Sequence, residues 1–191
     1  MDRRELLKMI VAATGAAMVG LPALVHGQSP TAGTKILFSD ADVGTLDEIA
    51  ETILPRTKTP GAKDAGAGAF MATFVTDCYT QKQQAAFRAG LVDIDKRAGG
   101  RFVSLAPQER TELLRALDAE ARKHAVDVTE TGTTEEGEAM PHYFTMIKQL
   151  AIFGFFTSKV GATEVLKYVA VPGRYDGDLA YVPGTPAWGT S

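Results

Sequence analysis

The sequence feature that most constrains the fold is the apolar stretch Pro141–Phe156, PHYFTMIKQLAIFGFF. At 3.6 residues per turn it has a narrow polar stripe of His142, Thr145, Lys148 and Gln149. The broad apolar face consists of Tyr143, Phe144, Ile147, Leu150, Ala151 and Phe155. Burying one large apolar side chain is worth about 1.5–3 kcal/mol, so the stretch predicts a helix that other helices, or a second protein, must cover. It is shorter than the roughly 20 apolar residues of a membrane crossing.

Composition limits the class of protein. A chain of 191 residues that is 45% hydrophobic can bury one proper core, which predicts a single domain. The net charge is −3 without a basic block, so nucleic acid is not expected as a partner. The one cysteine, Cys78, excludes an internal disulfide. It lies on an apolar helical row, which predicts a buried structural thiol.

Residues 1–27 have the layout of an export signal, with a charged start, an uncharged middle and a small-residue exit. The start resembles the twin-arginine pattern Ser/Thr-Arg-Arg-x-Phe-Leu-Lys, with Asp2 in the hydroxyl position and Leu6 in the Phe position. The residues predicted to form this signal are Arg3, Arg4, Leu6, Leu7 and Lys8. An ordinary secretory signal and a retained N-terminal helix are the alternatives. We expect a periplasmic protein, carried by the twin-arginine translocase, with no stable transmembrane helix after cleavage.

The rest of the chain predicts an all-α fold, because no convincing apolar–polar alternation occurs. After a flexible lead-in over 28–38, a compact domain of five to six helices is expected over 39–169, followed by an extended Pro/Gly-rich tail over 170–191. Ser39 offers the first N-cap and Pro55 closes that helix. Further helices are predicted from about Ala67, over 81–98, after a cap at or near Ser104, and briefly over 162–168. Residues 126–139 predict a mobile loop.

No catalytic, cofactor-binding or metal-binding residue is predicted. The histidines His26, His124 and His142 lack ligand partners at helical spacing. The glycines Gly61, Gly66 and Gly68 follow no strand and precede no Gly-Lys-Ser/Thr, which favours a turn before a helix over a phosphate loop. The carboxylates Asp93, Asp95, Glu135, Glu136 and Glu138 are expected to be solvated charges.

The tail carries residue types that provide binding energy at protein interfaces. They are Arg174, Tyr175, Tyr181 and Trp188. The tail either binds a partner or packs back on its own helices. With Phe155 and Phe156, at the end of the apolar stretch, these residues form the predicted partner interface.

Three separated stretches, ILPRTKTPGAKDAG, FFTSKVGA and VPGRYDG, resemble the gluconate 2-dehydrogenase subunit 3 family. The resemblance implies a non-catalytic small subunit of a periplasmic dehydrogenase acting on a sugar, glycoside or sugar acid. It further implies a large subunit of the glucose–methanol–choline type that holds FAD, and a cytochrome c partner with haem c. The small subunit would supply the export signal and help the large one to fold and assemble. The alternative is a free-standing periplasmic ligand-binding protein, or an enzyme whose site has no familiar motif.

Overall fold

The computed structural model describes residues 37–131, 140–171, 173, 177–178, 180 and 182–189. The chain divides into two units, Met1–Ile36 and Leu37–Ser191, and the described residues all belong to the second. The predicted signal residues Arg3, Arg4, Leu6, Leu7 and Lys8 therefore lie outside the described residues.

Over its described ranges the second unit contains five α-helices. They are α1 (Asp40–Ile53), α2 (Ala67–Cys78), α3 (Gln81–Arg97), α4 (Pro107–Thr131) and α5 (Tyr143–Thr157). A 3-10 turn, Phe102–Ser104, precedes α4, and a π-helical turn, Gly161–Val165, follows α5. No β-strand occurs in these ranges, and only an isolated bridge joins Lys167 to Trp188. The prediction of an all-α domain is confirmed.

Helix α5 lies at the centre of this unit and contacts α1, α2, α3 and α4. Its buried residues are Phe144, Met146, Ile147, Leu150, Ala151, Gly154 and Phe155. On the polar stripe, Lys148 Nζ lies 2.6 Å from Asp118 Oδ1 of α4. The apolar face predicted for this stretch is therefore covered by the chain's own helices. The cover is incomplete at the end of α5, where Ile152, Phe153 and Phe156 remain exposed.

The start of α1 follows the sequence prediction. The Ser39 hydroxyl accepts a hydrogen bond from the Asp42 N–H at 3.3 Å, and the Asp42 carboxylate accepts one from the Ser39 N–H at 2.8 Å. This reciprocal capping box satisfies two donors that a helix start leaves unpaired. The helix ends at Ile53, two residues before Pro55, as predicted.

The start of α4 lies close to Ser104, as predicted, but Ser104 itself lies in the 3-10 turn and does not cap the helix. The first helical residue is Pro107, whose fixed φ suits that position. The cap lies at Ala106, two residues after Ser104. There the Glu109 carboxylate accepts a hydrogen bond from the Ala106 N–H at 2.8 Å.

The far end of α4 differs from the prediction, because residues 126–131 of the predicted loop are helical. Extending an existing helix adds one hydrogen bond for each residue fixed, so residues 126–131, which contain no glycine, can continue it. Thr131 is the last residue of α4 in the described range. Residues 132–139 lie outside the described residues.

The prediction that Cys78 is buried is wrong, because the thiol is exposed. Helix α2 has two parallel apolar rows, and it buries the row of Ala67, Met71 and Val75. Which row is buried is determined by Gly68, which packs closely on α1. Its N–H donates to Asp47 Oδ1 at 2.8 Å, and an added Cβ would lie 2.5 Å from the same oxygen. Cys78, at the end of the other row, is therefore exposed, whereas Phe70 and Phe74 of that row are half-buried.

No helix among the described residues has the length and apolar character that a membrane crossing requires.

Candidate functional site

The loop between α1 and α2 is held by carboxylates. Glu51 accepts from the Arg56 N–H at 2.8 Å and from the Lys63 N–H at 2.9 Å. Asp64 accepts from the Gly61 N–H at 2.8 Å and pairs with the Arg56 guanidinium. A phosphate loop needs free backbone N–H groups, and these are already taken by the chain's own acids. The loop is a turn leading into α2, in agreement with the sequence analysis.

Two of the stretches that carry the family resemblance meet at one cleft. The first supplies residues 56–60 and Asp64, and the second supplies Val160, with Glu164 just beyond it; the volume is about 350 Å³. Ligand pockets for small molecules are mostly apolar. This cleft is lined mainly by Arg56, Lys58, two threonines and the two acids. Its chemistry suits contact with another polar surface better than enclosure of a small molecule.

An aromatic face is formed where α2 packs beside the end of α5. We use this name for Phe70, Phe74, Ile152, Phe153 and Phe156. The Phe153 ring centroid lies 5.8 Å from that of Phe70 and 6.0 Å from that of Phe74, and the latter two are 5.6 Å apart. Phe153 is 49% exposed, while Ile152 and Phe156 are each 37% exposed. The face is thus an apolar surface built from two helices.

The structure separates the two phenylalanines of the predicted interface. Phe155 is 3% exposed and packs in the core, so its ring is covered by this chain's own residues. Phe156 belongs to the aromatic face, with its ring centroid 5.0 Å from that of Phe155. Of these two, Phe156 has the side chain that is available to a partner.

The tail returns to the helical unit at Trp188. The Lys167 N–H donates to the Ala187 carbonyl at 2.8 Å, and the Gly189 N–H donates to the Lys167 carbonyl at 2.9 Å. The Lys167 ammonium lies 4.1 Å from the Trp188 ring centroid, yet that side chain remains 46% exposed. Packing back and binding a partner are therefore compatible. The other predicted tail residues, Arg174, Tyr175 and Tyr181, lie outside the described residues.

A polar network joins α3, α4 and α5. The Tyr143 hydroxyl donates to Asp93 Oδ2 at 2.6 Å, and Arg97 Nε donates to the same oxygen at 2.7 Å. Arg97 also reaches Glu120 at 2.7 Å. The hydrogen bond from Tyr143, together with Arg97, lowers the pKa of Asp93, and burial followed by Asp93 raises the pKa of Tyr143. Asp93 is therefore not simply a solvated charge.

The neighbouring carboxylate Asp95 also has a structural partner, because its Oδ1 accepts from the Phe102 N–H at 2.8 Å. Asp93 and Asp95 thus serve different parts of the fold. Neither is positioned with the other for acid–base chemistry.

The two described histidines meet at the start of α5. His142 Nδ1 accepts from the Phe144 N–H at 3.2 Å and so caps the helix. Its ring stacks on Tyr143 at 4.4 Å between centroids, and the His124 ring of α4 is 5.9 Å away. Burial, followed by the proximity of His124, lowers the pKa of His142. No group of three or more His, Cys, Asp or Glu side chains suited to a metal occurs in the described ranges.

This geometry predicts a loss of stability in mild acid. Protonation of His142 removes the Nδ1 acceptor. It also places a positive charge near His124 and Arg97, which disfavour it, and the opposite effect of Glu120 and Asp93 compensates only in part. The folded-state pKa lies below the ordinary value of 6.5, so this stability is present above pH 6.5. It is lost as the pH falls through the lower folded-state pKa. Urea unfolding at a series of pH values measures the effect.

The matched variant is His142→Asn, because asparagine is a good N-cap that does not titrate. We expect its unfolding free energy to vary less with pH between about 7 and 5 than that of the wild type. Equal pH dependence in the two proteins would show that His142 is not the group responsible.

The described residues form a helical domain. Its described polar clusters tie helices and loops together, while three exposed apolar side chains of α5, Ile152, Phe153 and Phe156, lie beside the half-buried Phe70 and Phe74 of α2. Residues 40–173 match the family described as gluconate 2-dehydrogenase subunit 3, and the chain belongs to that family. This confirms the family resemblance, and the family suggests a small subunit of a dehydrogenase complex. No curated protein and no solved structure matches the chain.

Proposed function

We propose that this chain is the non-catalytic small subunit of a periplasmic, FAD-dependent dehydrogenase that oxidises a sugar, glycoside or sugar acid. The observation that carries the proposal is the family match over residues 40–173. In this proposal FAD and the substrate belong to a large subunit of the glucose–methanol–choline type. A cytochrome c partner takes the electrons through haem c.

The contribution of the small subunit is to bind and stabilise. The large subunit folds around FAD in the cytoplasm, binds this chain, and crosses the membrane with it through the twin-arginine translocase. A partner that binds only the folded state stabilises it by RT ln(1 + [L]/Kd), about 2.7 kcal/mol at a hundredfold excess over Kd. The exposed apolar side chains of α5 support this proposal, because the free energy falls when a second chain covers such groups and removes them from water.

The test is a signal variant with Arg3→Lys and Arg4→Lys, expressed together with the large subunit. We expect dehydrogenase activity and large-subunit protein to be nearly absent from the periplasm and retained in the cytoplasm. The reason is that the large subunit depends on this chain's signal in the proposal. Cell fractionation followed by activity assay and immunoblotting measures both quantities.

The control carries the same chemical change elsewhere, at the exposed residues Arg88 and Arg115, each replaced by lysine. It should leave export at the wild-type level. Full periplasmic activity with the signal variant would contradict the carrier function. Catalysis by the purified small subunit alone would instead favour a free-standing enzyme.

A further inference from the structure

The outer surface of the helical unit is charged on one pair of helices and nearly uncharged on another. Helix α2, AGAFMATFVTDC, contains a single charged residue, Asp77. Helix α5, YFTMIKQLAIFGFFT, contains only Lys148, which is paired with Asp118 of α4. Helices α3 and α4 carry charged residues along much of their length. Depletion of charge around exposed aromatic side chains is the composition of an interface core.

The rings of the aromatic face are held in place by packing. The Phe153, Phe70 and Phe74 rings all contact one another, and Tyr79 packs on this group with its ring centroid 5.9 Å from that of Phe74. Gly154 allows Phe70 to approach α5, because an added Cβ would lie 2.5 Å from Phe70 Cδ1. Side chains that are already ordered lose little entropy when a partner covers them. The face is therefore preorganised for binding.

We propose that the aromatic face is the surface by which this subunit docks on the large subunit of the dehydrogenase, and that it meets an uncharged, apolar surface of that chain. This inference rests on the proposed function, which supplies the partner. A charged partner surface would be desolvated on this face with almost no counter-charge to compensate it. The complement is therefore apolar, and the complex resists salt, because screening acts on charges.

The size of the face fits the core of such an interface. Ile152, Phe153 and Phe156 are 37–49% exposed. At about 200 Å² for each large side chain, this leaves roughly 250 Å² of apolar surface to cover. A standard interface takes about 800 Å² from each partner, of which the centre is apolar and the rim is polar.

The experiment is co-purification of the large subunit from the same organism with a C-terminally tagged small subunit, comparing wild type with Phe153→Lys. We expect Phe153→Lys to weaken binding at least about 30-fold, because it places an unpaired ammonium at the centre of the apolar contact. The matched control is Val92→Lys. Val92 is 70% exposed on the charged helix α3, so this variant should bind like wild type. The wild-type complex should remain intact in about 1 M NaCl.

Hydrogen exchange on the wild-type complex tests the same inference without a mutation. Residues 69–78 and 149–157 should become protected when the large subunit is bound. Circular dichroism of Phe153→Lys checks that the variant folds. If the variant does not fold, hydrogen exchange on the wild-type complex decides whether the aromatic face is the docking surface. Protection confined to α3 and α4, or undiminished binding by folded Phe153→Lys, would overturn the docking surface while leaving the proposed function intact.

Two further outcomes distinguish the remaining possibilities. Failure of the wild-type chain to capture the large subunit would overturn both the docking surface and the proposed function. A homodimer that is lost in Phe153→Lys and persists beside the large subunit would assign the face to a second copy of this chain, which also overturns the inference.

Discussion

Replacing Phe144 with alanine should lower the free energy of unfolding by about 3–5 kcal/mol. Phe144 is 2% exposed and lies on α5, which contacts all four other α-helices described above. Truncation removes the transfer free energy of the ring and leaves a cavity that several rigid neighbours cannot fill. For a domain of this size we expect the melting temperature to fall by about 6–20 °C. Thermal unfolding followed by circular dichroism measures it.

The control is the same substitution at Phe153 on the same helix. This side chain is 49% exposed and belongs to the aromatic face at the surface, so alanine there should cost less than half as much. Equal losses for Phe144→Ala and Phe153→Ala would contradict the assignment of α5 as the centre of the core.

Replacing Gly90 with alanine should destabilise the protein by about 1–2 kcal/mol, although alanine is the better helix former. An added Cβ on α3 would lie 2.4 Å from Tyr143 Cδ2 and 2.5 Å from Tyr143 Cγ. The ring cannot move away easily, because its hydroxyl is bonded to Asp93 at 2.6 Å and its face is stacked on His142. Strain from overpacking therefore outweighs the gain in helix propensity. Urea unfolding compares the variant with the wild type.

The matched control is Gly44→Ala, because Gly44 also lies inside a helix but has nothing within 4 Å of an added Cβ. There alanine should stabilise by about 0.5–1 kcal/mol through its lower conformational entropy cost. The two variants should thus differ in sign. A stabilising Gly90→Ala would show that the Tyr143 ring is free to move.

The features predicted correctly from the sequence depend on residues close together in the chain. The apolar face of α5 follows from helical periodicity between Tyr143 and Phe155, and the start of α1 follows from Ser39 and Asp42 within one turn. Both patterns are complete within one element, so local physical chemistry determines them.

Two of the features that were missed, the exposure of Cys78 and the pairing of Asp93, depend on contacts between distant elements. The exposure of Cys78 follows from the contact between Gly68 and Asp47, which lies on another helix. The partnership of Asp93 with Tyr143 spans 50 residues of sequence. Nothing near either residue indicates such pairings.

The contacts within the aromatic face were also not predictable from the sequence, although one property of its two helices was. Phe70 and Phe153 lie on helices far apart in sequence, so their contact was not predictable from periodicity. The scarcity of charge in α2 and in α5 was visible, and it distinguishes these two helices from α3 and α4.

The contact between Lys167 and Trp188 allows the attachment of the tail to be followed by fluorescence. Trp188 is the only tryptophan of the chain, so all indole emission comes from this one point. An ammonium 4.1 Å from the ring centroid perturbs the excited state of the indole, and release of the tail would remove that perturbation. The protein thus contains a native fluorophore that reports on the attachment of its own C-terminal segment.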